Sequence, residues 1–268
     1  MRHLRVALIG WGAISRRVVA LLSERMRRDI VIVAVAVRDI EAPRDGLPEG
    51  ALLITRPEEL GNIDCDIVIE AAGRCSIESW GTVALTEGCD FVISSTSAFR
   101  DDALRDRLTA LAEERDCQII VPPGAIGGID ALAAAAVLPL DSVEHLIVKP
   151  PAAWRGTPAE ASIDLDAIDK VTTFFSGSAR QAADLFPQNA NVAAISAMAG
   201  VGFERTRVTM VADPYATRNG HRIVASGAFG KLDVTIENEP LATNPKSSEL
   251  TALSLIRLLE NRVSPLVR

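Results

Sequence analysis

The sequence predicts an α/β protein: a doubly wound parallel sheet followed by a second α+β domain that contains an antiparallel or mixed sheet. Three observations support this prediction. The first half alternates short apolar runs with helical segments, as in a series of β-α-β units. A glycine turn, GWG at 10–12, separates the first apolar run from the first helix. After about residue 122 the alternation stops, and two helical segments precede three strand-like runs.

The elements of the first half are predicted from their apolar patterns. The run IVIVAVAV at 30–37 is continuous and β-branched, which is typical of a parallel strand buried on both faces. The segment 100–116 carries aspartates in its first turn and apolar residues at helical spacing. In chain order, we predict strands at 4–10, 30–37, 65–73, 90–95 and 117–128, with helices at 14–28, 76–88 and 100–116.

The second half has a different order of elements. We predict a hairpin turn at Asn219-Gly220, a dipeptide that favours such turns. The predicted domains are 1–122 and 123–244, and the last segment, 245–268, is predicted to return to the first domain. The predicted elements are a strand at 142–151, helices at 177–186 and 190–200, strands at 205–213, 221–228 and 231–238, and a final helix at 247–262 with serine as its cap.

The composition excludes several functional classes. A net charge of −7 argues against a general nucleic-acid surface and against a polybasic membrane patch. The four cysteines form no CxxC pair and no cluster with histidine, so we predict no metal site. The chain shows no signal-peptide pattern and no apolar run of membrane-spanning length. We therefore expect a cytoplasmic protein.

The segment GWGAIS at 10–15 predicts a dinucleotide site. Gly10 permits a tight turn, and Gly12 lets the backbone approach a pyrophosphate. Ala13 and Ile14 open the following helix, whose free N–H groups and dipole favour an anion. Ser15 stands where the usual fingerprint has a third glycine. Without a ligand, the same segment would be an ordinary glycine turn.

Two charged residues follow the second predicted strand, where cofactor preference is usually decided. A carboxylate at this position holds the ribose 2′-hydroxyl of NAD, whereas a cation pairs with the 2′-phosphate of NADP. Arg38 and Asp39 are adjacent, so the sequence leaves the choice between NAD and NADP open. Both residues are also compatible with a solvated loop.

Three amide side chains stand at the start of an otherwise apolar helix, in the stretch FPQNANVAAISAMAG. A buried amide needs a hydrogen-bonding partner. Each amide carries a donor and an acceptor that a ligand or a neighbouring loop must meet, and Asn189 is predicted to cap the helix or support a site. The alternative is that Gln188 and both asparagines serve only the helix end.

Three histidines are available as a general base. His3 precedes the first strand, and His145 lies inside a predicted strand, where a structural role is expected. His221 follows the predicted turn at a strand start and is the candidate base. Lys246 lies in NPKSS at the start of the last helix. It is either a residue that holds a substrate carboxylate or an ordinary surface residue. Arg155 and Arg180 are possible carboxylate clamps.

Five further segments resemble the L-aspartate dehydrogenase family: GAIGGIDAL, KPPAAWRGTPAE, FSGSARQAADLFPQNANVAA, NGHRI and NPKSSELTALS. With the N-terminal GWGAI, the resemblance spans nearly the whole chain. It implies a Rossmann-type domain at 1–122, a catalytic and dimerisation domain at 123–244, and a homodimer. The implied reaction is reversible NAD(P)-dependent oxidative deamination of L-aspartate, through iminoaspartate, to oxaloacetate and ammonia. Iminoaspartate also feeds the start of pyridine nucleotide biosynthesis.

The resemblance assigns roles to three positions. Ala125 in the GAIGG turn and Asn191 in the NANV block match the family's NAD-contacting residues, and His221 matches its catalytic histidine. Asn189 and Lys246 are the candidates near the substrate. Besides Ser15, the chain departs from the family's pattern at two positions. Pro123 stands where serine is common, and Ser97 occupies a glycine position.

Two other functions fit parts of the sequence. One is a different dehydrogenase of similar architecture, resembling dihydrodipicolinate reductase or homoserine dehydrogenase. The other is a non-catalytic regulator that binds NAD(P). The FPQNANVAA block argues against the first, and the retained His221 argues against the second, because a regulator needs no base.

Overall fold

The computed structural model describes residues 3–187 and 189–267, so Gln188 lies outside the described residues. The contacts of the chain divide it into two compact units. Unit 1 comprises Met1–Gly124 together with Thr251–Arg268, and unit 2 comprises Ala125–Leu250. None of the helices in the described part of the chain is long and apolar enough to cross a membrane.

Unit 1 contains a six-stranded parallel sheet. The order β3-β2-β1-β4-β5-β6 reverses between β1 and β4, which is where such sheets bind ligands at their carboxyl ends. The predicted doubly wound sheet is therefore confirmed. The strands are β1 Leu4–Ile9, β2 Ile30–Ala36, β3 Leu52–Ile54, β4 Ile67–Glu70, β5 Asp90–Ile93 and β6 Ile119–Ile120, and the helices that follow β1, β4 and β5 are α1 Ala13–Glu24, α2 Ile77–Thr86 and α3 Asp102–Glu114.

Unit 2 contains a five-stranded mixed sheet in the order β11-β10-β7-β9-β8, which confirms the predicted α+β part. Strands β7 and β9 are parallel, and the other neighbouring pairs are antiparallel. The strands are β7 Leu140–Lys149, β8 Thr172–Ser178, β9 Arg207–Ala212, β10 Asn219–Gly227 and β11 Gly230–Asn238, and the helices are α4 Ile129–Ala135, α5 Ala179–Leu185 and α6 Asn191–Ala199.

The predicted hairpin turn at Asn219-Gly220 is wrong. These residues begin β10, and Asn219 is buried opposite Asn238 of β11. The turn lies at the other end of β10, where Gly227 faces Gly230. A side chain on Gly227 would come within 2.5 Å of the Pro139 carbonyl oxygen, which explains glycine at that position. Pairing with β7 and β11 on both sides outweighs the local turn preference of the dipeptide.

The position predicted for Lys246 is also wrong. Lys246 lies in the short strand β13 Asn244–Ser248, which pairs with β12 Pro240–Leu241, and the last helix, α7 Glu249–Val263, begins after it. Helix α7 buries Ala252, Leu255, Ile256 and Leu259 in the core of unit 1, against apolar residues of α1 and of strands β1, β2 and β4. Unit 1 is thus built from both ends of the chain.

Candidate active site

The glycine turn of unit 1 is shaped for close backbone approach. Gly10 has a φ of +96°, and a side chain there would lie 3.0 Å from the Ala71 carbonyl oxygen. Gly12 caps α1, and nothing lies within 4 Å of the position that a side chain would take. Ala13 and Ile14 form the first turn of α1, and Ser15 is buried, where a small residue is required. This is the geometry that a pyrophosphate needs.

A cleft of about 910 Å³ adjoins this turn at the carboxyl ends of β1, β2 and β4. Most of the residues predicted to bind the cofactor through unit 1 contribute to its wall. Its polar and small lining residues include Gly10, Gly12, Arg38, Asp39, Arg44, Thr55, Gly73, Arg74, Ser76 and Ser79.

Glu70 organises one wall of the cleft and was not predicted from the sequence. This carboxylate is completely buried at the end of β4. It accepts hydrogen bonds from the N–H groups of Ala72, Gly73 and Ser95 at 2.8, 2.7 and 3.0 Å. The hydroxyls of Ser76 and Ser95 donate to it at 3.1 and 3.0 Å. One carboxylate thereby fixes the loops that follow β4 and β5.

Replacing Glu70 with glutamine is expected to lower the free energy of unfolding by about 1–3 kcal/mol, because the new N–H donors face existing donors. Urea unfolding followed by circular dichroism measures the change. Glu78→Gln is the matched control, since Glu78 is 65% exposed in its pair with Arg107 and should change stability by about 0–1 kcal/mol. Equal effects of the two substitutions would show that the Glu70 network does not stabilise unit 1.

Arg38 and Asp39 both line the cleft, but their side chains differ in the hydrogen bonds that they already make. One oxygen of the Asp39 carboxylate accepts the Glu41 N–H at 3.0 Å. The Arg44 guanidinium donates to backbone carbonyls of the same loop, including that of Ala42 at 2.5 Å. Arg38 is exposed and makes no hydrogen bond or ion pair with the residues that the structure describes. Both a carboxylate oxygen and a guanidinium are therefore available for the adenosine ribose.

In unit 2, His221 lies in a buried basic cluster with His145 and Lys149. His145 and Lys149 share one face of β7, and His221 lies on the same face of β10, opposite Ile147. The rings of His145 and His221 meet edge to face with centroids 5.5 Å apart. All three side chains are at most 5% exposed. The prediction that His145 lies inside a strand is confirmed by its place in β7.

The electrostatics of this cluster are unusual because it contains no acid. Burial lowers the pKa of His145 to about 3 and that of Lys149 to about 8, with no carboxylate among the described residues to oppose the shift. Burial, followed by the nearby His145 and Lys149, lowers the pKa of His221 well below its usual range. The Lys149 ammonium lies 5.4 Å from the centre of the Trp154 ring. A site with buried bases and no counter-ion is suited to an anionic ligand.

The GAIGG turn is fastened to the end of β11 in unit 2. Asn238 donates its amide N–H to the Ala125 carbonyl at 2.7 Å, and both residues are buried. A side chain on Gly127 would come within 2.5 Å of Ile236, the residue opposite His221 in the sheet. The turn that carries Ala125 therefore rests directly on the strand beside His221.

The amide residues near α6 differ from the predicted cap. The N-cap of α6 is Ala190, and none of the side chains that the structure describes caps the helix there. Asn191 is instead the first helical residue, and Asn189 is 7% exposed. Of the two roles predicted for Asn189, capping is wrong, because the N-cap of α6 is Ala190, and support of the site stays a prediction.

The other substrate candidates occupy separate positions. The Lys246 ammonium lies beside Gly156, where a side chain would approach it to 3.4 Å. Arg155 pairs with Asp166, and Arg180 pairs with Glu204, so each guanidinium already has a carboxylate partner. Ser97 is buried, and Pro123 is half-buried, in unit 1. The residues that the structure describes contain no group of three or more side chains able to hold a metal ion.

Comparison with known proteins identifies the family. Residues 130–262 match the family model described as aspartate dehydrogenase, C-terminal, and residues 10–122 match that of the homoserine dehydrogenase NAD-binding domain. An L-aspartate dehydrogenase from Brucella anthropi is 56% identical over 98% of this chain and 97% of its own length. The chain belongs to the L-aspartate dehydrogenase family.

Two further relatives agree with this membership. An L-aspartate dehydrogenase from Cupriavidus necator is 42% identical over 97% of both chains. The crystal structure of aspartate dehydrogenase from Thermotoga maritima matches with a TM-score of 0.77, 28% identity and full coverage of both chains. The resemblance inferred from the motifs is confirmed, and so is the prediction of an NAD(P)-dependent oxidoreductase.

In this member of the aspartate dehydrogenase family, some of the residues predicted from the sequence lie together, and their roles stay predictions. Sequence reasoning selected Gly10, Gly12, Arg38 and Asp39, which line one cleft. It selected His221 but assigned no role to Lys149, which ends a strand of alternating buried residues. The sequence carried a signal for Lys149, because the alternation of side chains along β7 places this lysine on the buried face.

Proposed function

We propose that this chain catalyses the reversible NAD(P)-dependent oxidation of L-aspartate to iminoaspartate, which water converts to oxaloacetate and ammonia. The observation that carries the proposal is the buried basic cluster of His221, His145 and Lys149, which has no acid of its own. A dicarboxylate supplies the missing negative charge. Family membership indicates which dicarboxylate reacts.

His221 is proposed as the general base. Its lowered pKa keeps the imidazole neutral near pH 7, ready to take a proton from the substrate ammonium group and later from the attacking water. A bound carboxylate raises the proton affinity of His221, because the opposite charge favours imidazolium. The substrate thus improves the base that acts on it.

Lys149 is proposed to hold a substrate carboxylate. Its ammonium group is buried, and the described residues give it no carboxylate partner. A carboxylate that replaces water around it forms a charge-assisted hydrogen bond in a poorly solvated site. This role places the substrate next to His221, whose pKa already responds to the charge of Lys149.

The residues present fit a nicotinamide dinucleotide. Gly10, Gly12 and the first turn of α1 are proposed to hold its pyrophosphate, and the family resemblance assigns Ala125 and Asn191 to NAD. The bound cofactor supplies the hydride acceptor for the α-hydrogen of aspartate. Asn189 and Lys246 are proposed to support the substrate from the periphery.

The reaction is tested by nicotinamide absorbance. Pure protein is mixed with L-aspartate and NAD⁺ or NADP⁺, and separately with oxaloacetate, ammonia and each reduced cofactor. Turnover with aspartate, and none with L-homoserine or L-malate, is expected. Cofactor binding without turnover in either direction would favour the regulator hypothesis, and turnover with homoserine alone would favour the neighbouring dehydrogenases.

We predict that Arg38 and Asp39 divide the recognition of the two cofactors. Arg38→Ala is expected to raise the Kd of NADPH roughly 10-fold or more, the effect of losing a charged hydrogen bond, with little change for NADH. Asp39→Asn should weaken NADH binding instead. Fluorescence titration with each reduced cofactor measures both values. Arg115→Ala, at an exposed residue outside the cleft, is the control, and a matching loss in that variant would refute the assignment.

We also propose a cytoplasmic homodimer. The outer face of the unit 2 sheet carries Leu146, Val148 and Val224, which are only half-buried, beside the exposed pair of Arg222 and Asp233. Half-buried apolar side chains on an open sheet face are suited to a second copy of the chain. Sedimentation equilibrium tests this, and a monomer at all concentrations would contradict it.

A further inference from the structure

His145 makes a buried hydrogen bond with Ser196 that bears on the tautomer of its ring. The Nδ1 atom of His145 lies 2.9 Å from the Ser196 hydroxyl oxygen, and both side chains are buried. That hydroxyl lies 3.0 Å from the Ala193 carbonyl, which can only accept a hydrogen bond. With the hydroxyl proton on that carbonyl, His145 donates its Nδ1–H to the serine. This arrangement leaves the Nε2 atom of His145 as an acceptor.

Two ring nitrogens in the cluster are buried without a hydrogen bond: Nε2 of His145 and Nδ1 of His221. A buried polar atom without a partner is costly, so such atoms are usually paired. The two rings belong to neighbouring strands and meet edge to face at 5.5 Å. An acceptor at Nε2 of His145 matched to a donor at Nδ1 of His221 would satisfy both atoms across this ring contact.

We propose that His145, held by Ser196, is a positioning residue that fixes the tautomer of His221. His221 carries its proton on Nδ1, directed at Nε2 of His145, so that its own Nε2 is left bare to accept the proton of the substrate. The chain of contacts runs from the base through His145 and Ser196 to the backbone of α6. The base is thus oriented by a neutral imidazole in place of the more common carboxylate.

A neutral orienting group suits this site. The pKa of His145 of about 3 keeps its ring uncharged, and therefore an acceptor at Nε2, throughout the range in which an amino-acid dehydrogenase is assayed. The groups that face His221 are His145, Ile147 and Lys149 from β7 and Ile236 from β11. A carboxylate in the position of His145 would pair with Lys149 and compete with an anionic substrate. The role in catalysis rests on the proposed function, whereas the tautomer does not.

Nitrogen-15 NMR of the full-length protein tests the tautomer directly, because the chain has only three histidines. In the two-bond proton–nitrogen correlation, His145 and His221 are both expected as neutral rings protonated at Nδ1. His145→Phe should shift His221 toward the Nε2–H form. His3→Gln assigns the remaining signal and should leave the other two unchanged, since His3 is exposed and contacts the Arg28 carbonyl.

Kinetics supply the second readout. His145→Phe is expected to lower kcat/KM for aspartate roughly 10- to 100-fold, as loss of a partner of a working histidine does, with unchanged cofactor affinity. His145→Gln, which retains an acceptor, should recover most of the loss. If His145→Phe does not fold, Ser196→Ala serves instead and should shift the tautomer in the same direction. An Nε2–H ring at His221 in the wild type, or no shift in either variant, would overturn the proposal even in an active enzyme.

Discussion

Replacing His221 with alanine is expected to lower kcat for aspartate oxidation about 10²- to 10⁴-fold, the contribution that a positioned general base makes. The residue is 4% exposed and sits beside Lys149, so no other histidine among the described residues can take its place without moving a strand. Cofactor affinity should not change, because His221 is not among the residues that line the cleft of unit 1. Steady-state absorbance and fluorescence titration give the two quantities.

The matched control for His221 is His3→Ala. His3 is exposed and contacts only the Arg28 carbonyl among its described hydrogen bonds, so turnover should stay at the wild-type value. A His221→Ala enzyme that turns over as fast as the wild type would remove the base from the mechanism. A fall in NADH affinity equal to the fall in kcat would instead show that His221 acts through the cofactor.

Replacing Lys149 with methionine is expected to affect activity and stability in opposite directions. The value of kcat/KM for aspartate should fall roughly 10- to 100-fold, because a charged hydrogen bond to a carboxylate is lost. The free energy of unfolding without substrate should rise by roughly 1–4 kcal/mol, because a buried charge with no counter-ion is replaced by an apolar chain of similar length. Thermal and urea unfolding, with and without aspartate, measure the second effect.

The pH dependence gives an independent check on Lys149. Its pKa is about 8 in the folded chain and 10.5 in the unfolded chain, so between these values the unfolded chain holds more protons. Wild-type stability should therefore rise over that interval, and Lys149→Met should flatten the rise. Lys231→Met, at an exposed lysine of β11, should leave the rise unchanged. A destabilised Lys149→Met variant with full activity would show that the ammonium has a structural role only.

The parallel sheet and the glycine turn could be predicted from the sequence because their signals are local. The run 30–37 is apolar throughout, and the turn at Gly10 needs a backbone conformation that glycine adopts easily. The sequence predicts that the first helix reaches Arg28. The helix ends at Glu24, and Met26, two residues further on, has a positive φ of 50°. Periodicity alone does not detect such a break.

The rest of the site depends on contacts between distant segments. Lys149 and His221 are brought together by the pairing of β7 with β10, which no local pattern reveals. Asn219-Gly220 has the composition of a hairpin turn. Its strand conformation depends on pairing with β7 and β11, which the residues next to it in the sequence do not reveal. Glu70 ends an apolar strand, and only the loops after β4 and β5 explain its burial.

Helix α7 has a consequence for the biogenesis of the protein. It completes the core that β1, β2 and β4 form in unit 1, so these strands cannot finish packing until residues 249–263 have been synthesised. Unit 2 is fully synthesised before that moment and can fold around its own sheet. Until α7 arrives, nascent unit 1 presents an uncovered apolar surface of the kind that chaperones bind. A chain cut short before residue 249 would keep that surface exposed and become a substrate for proteolysis.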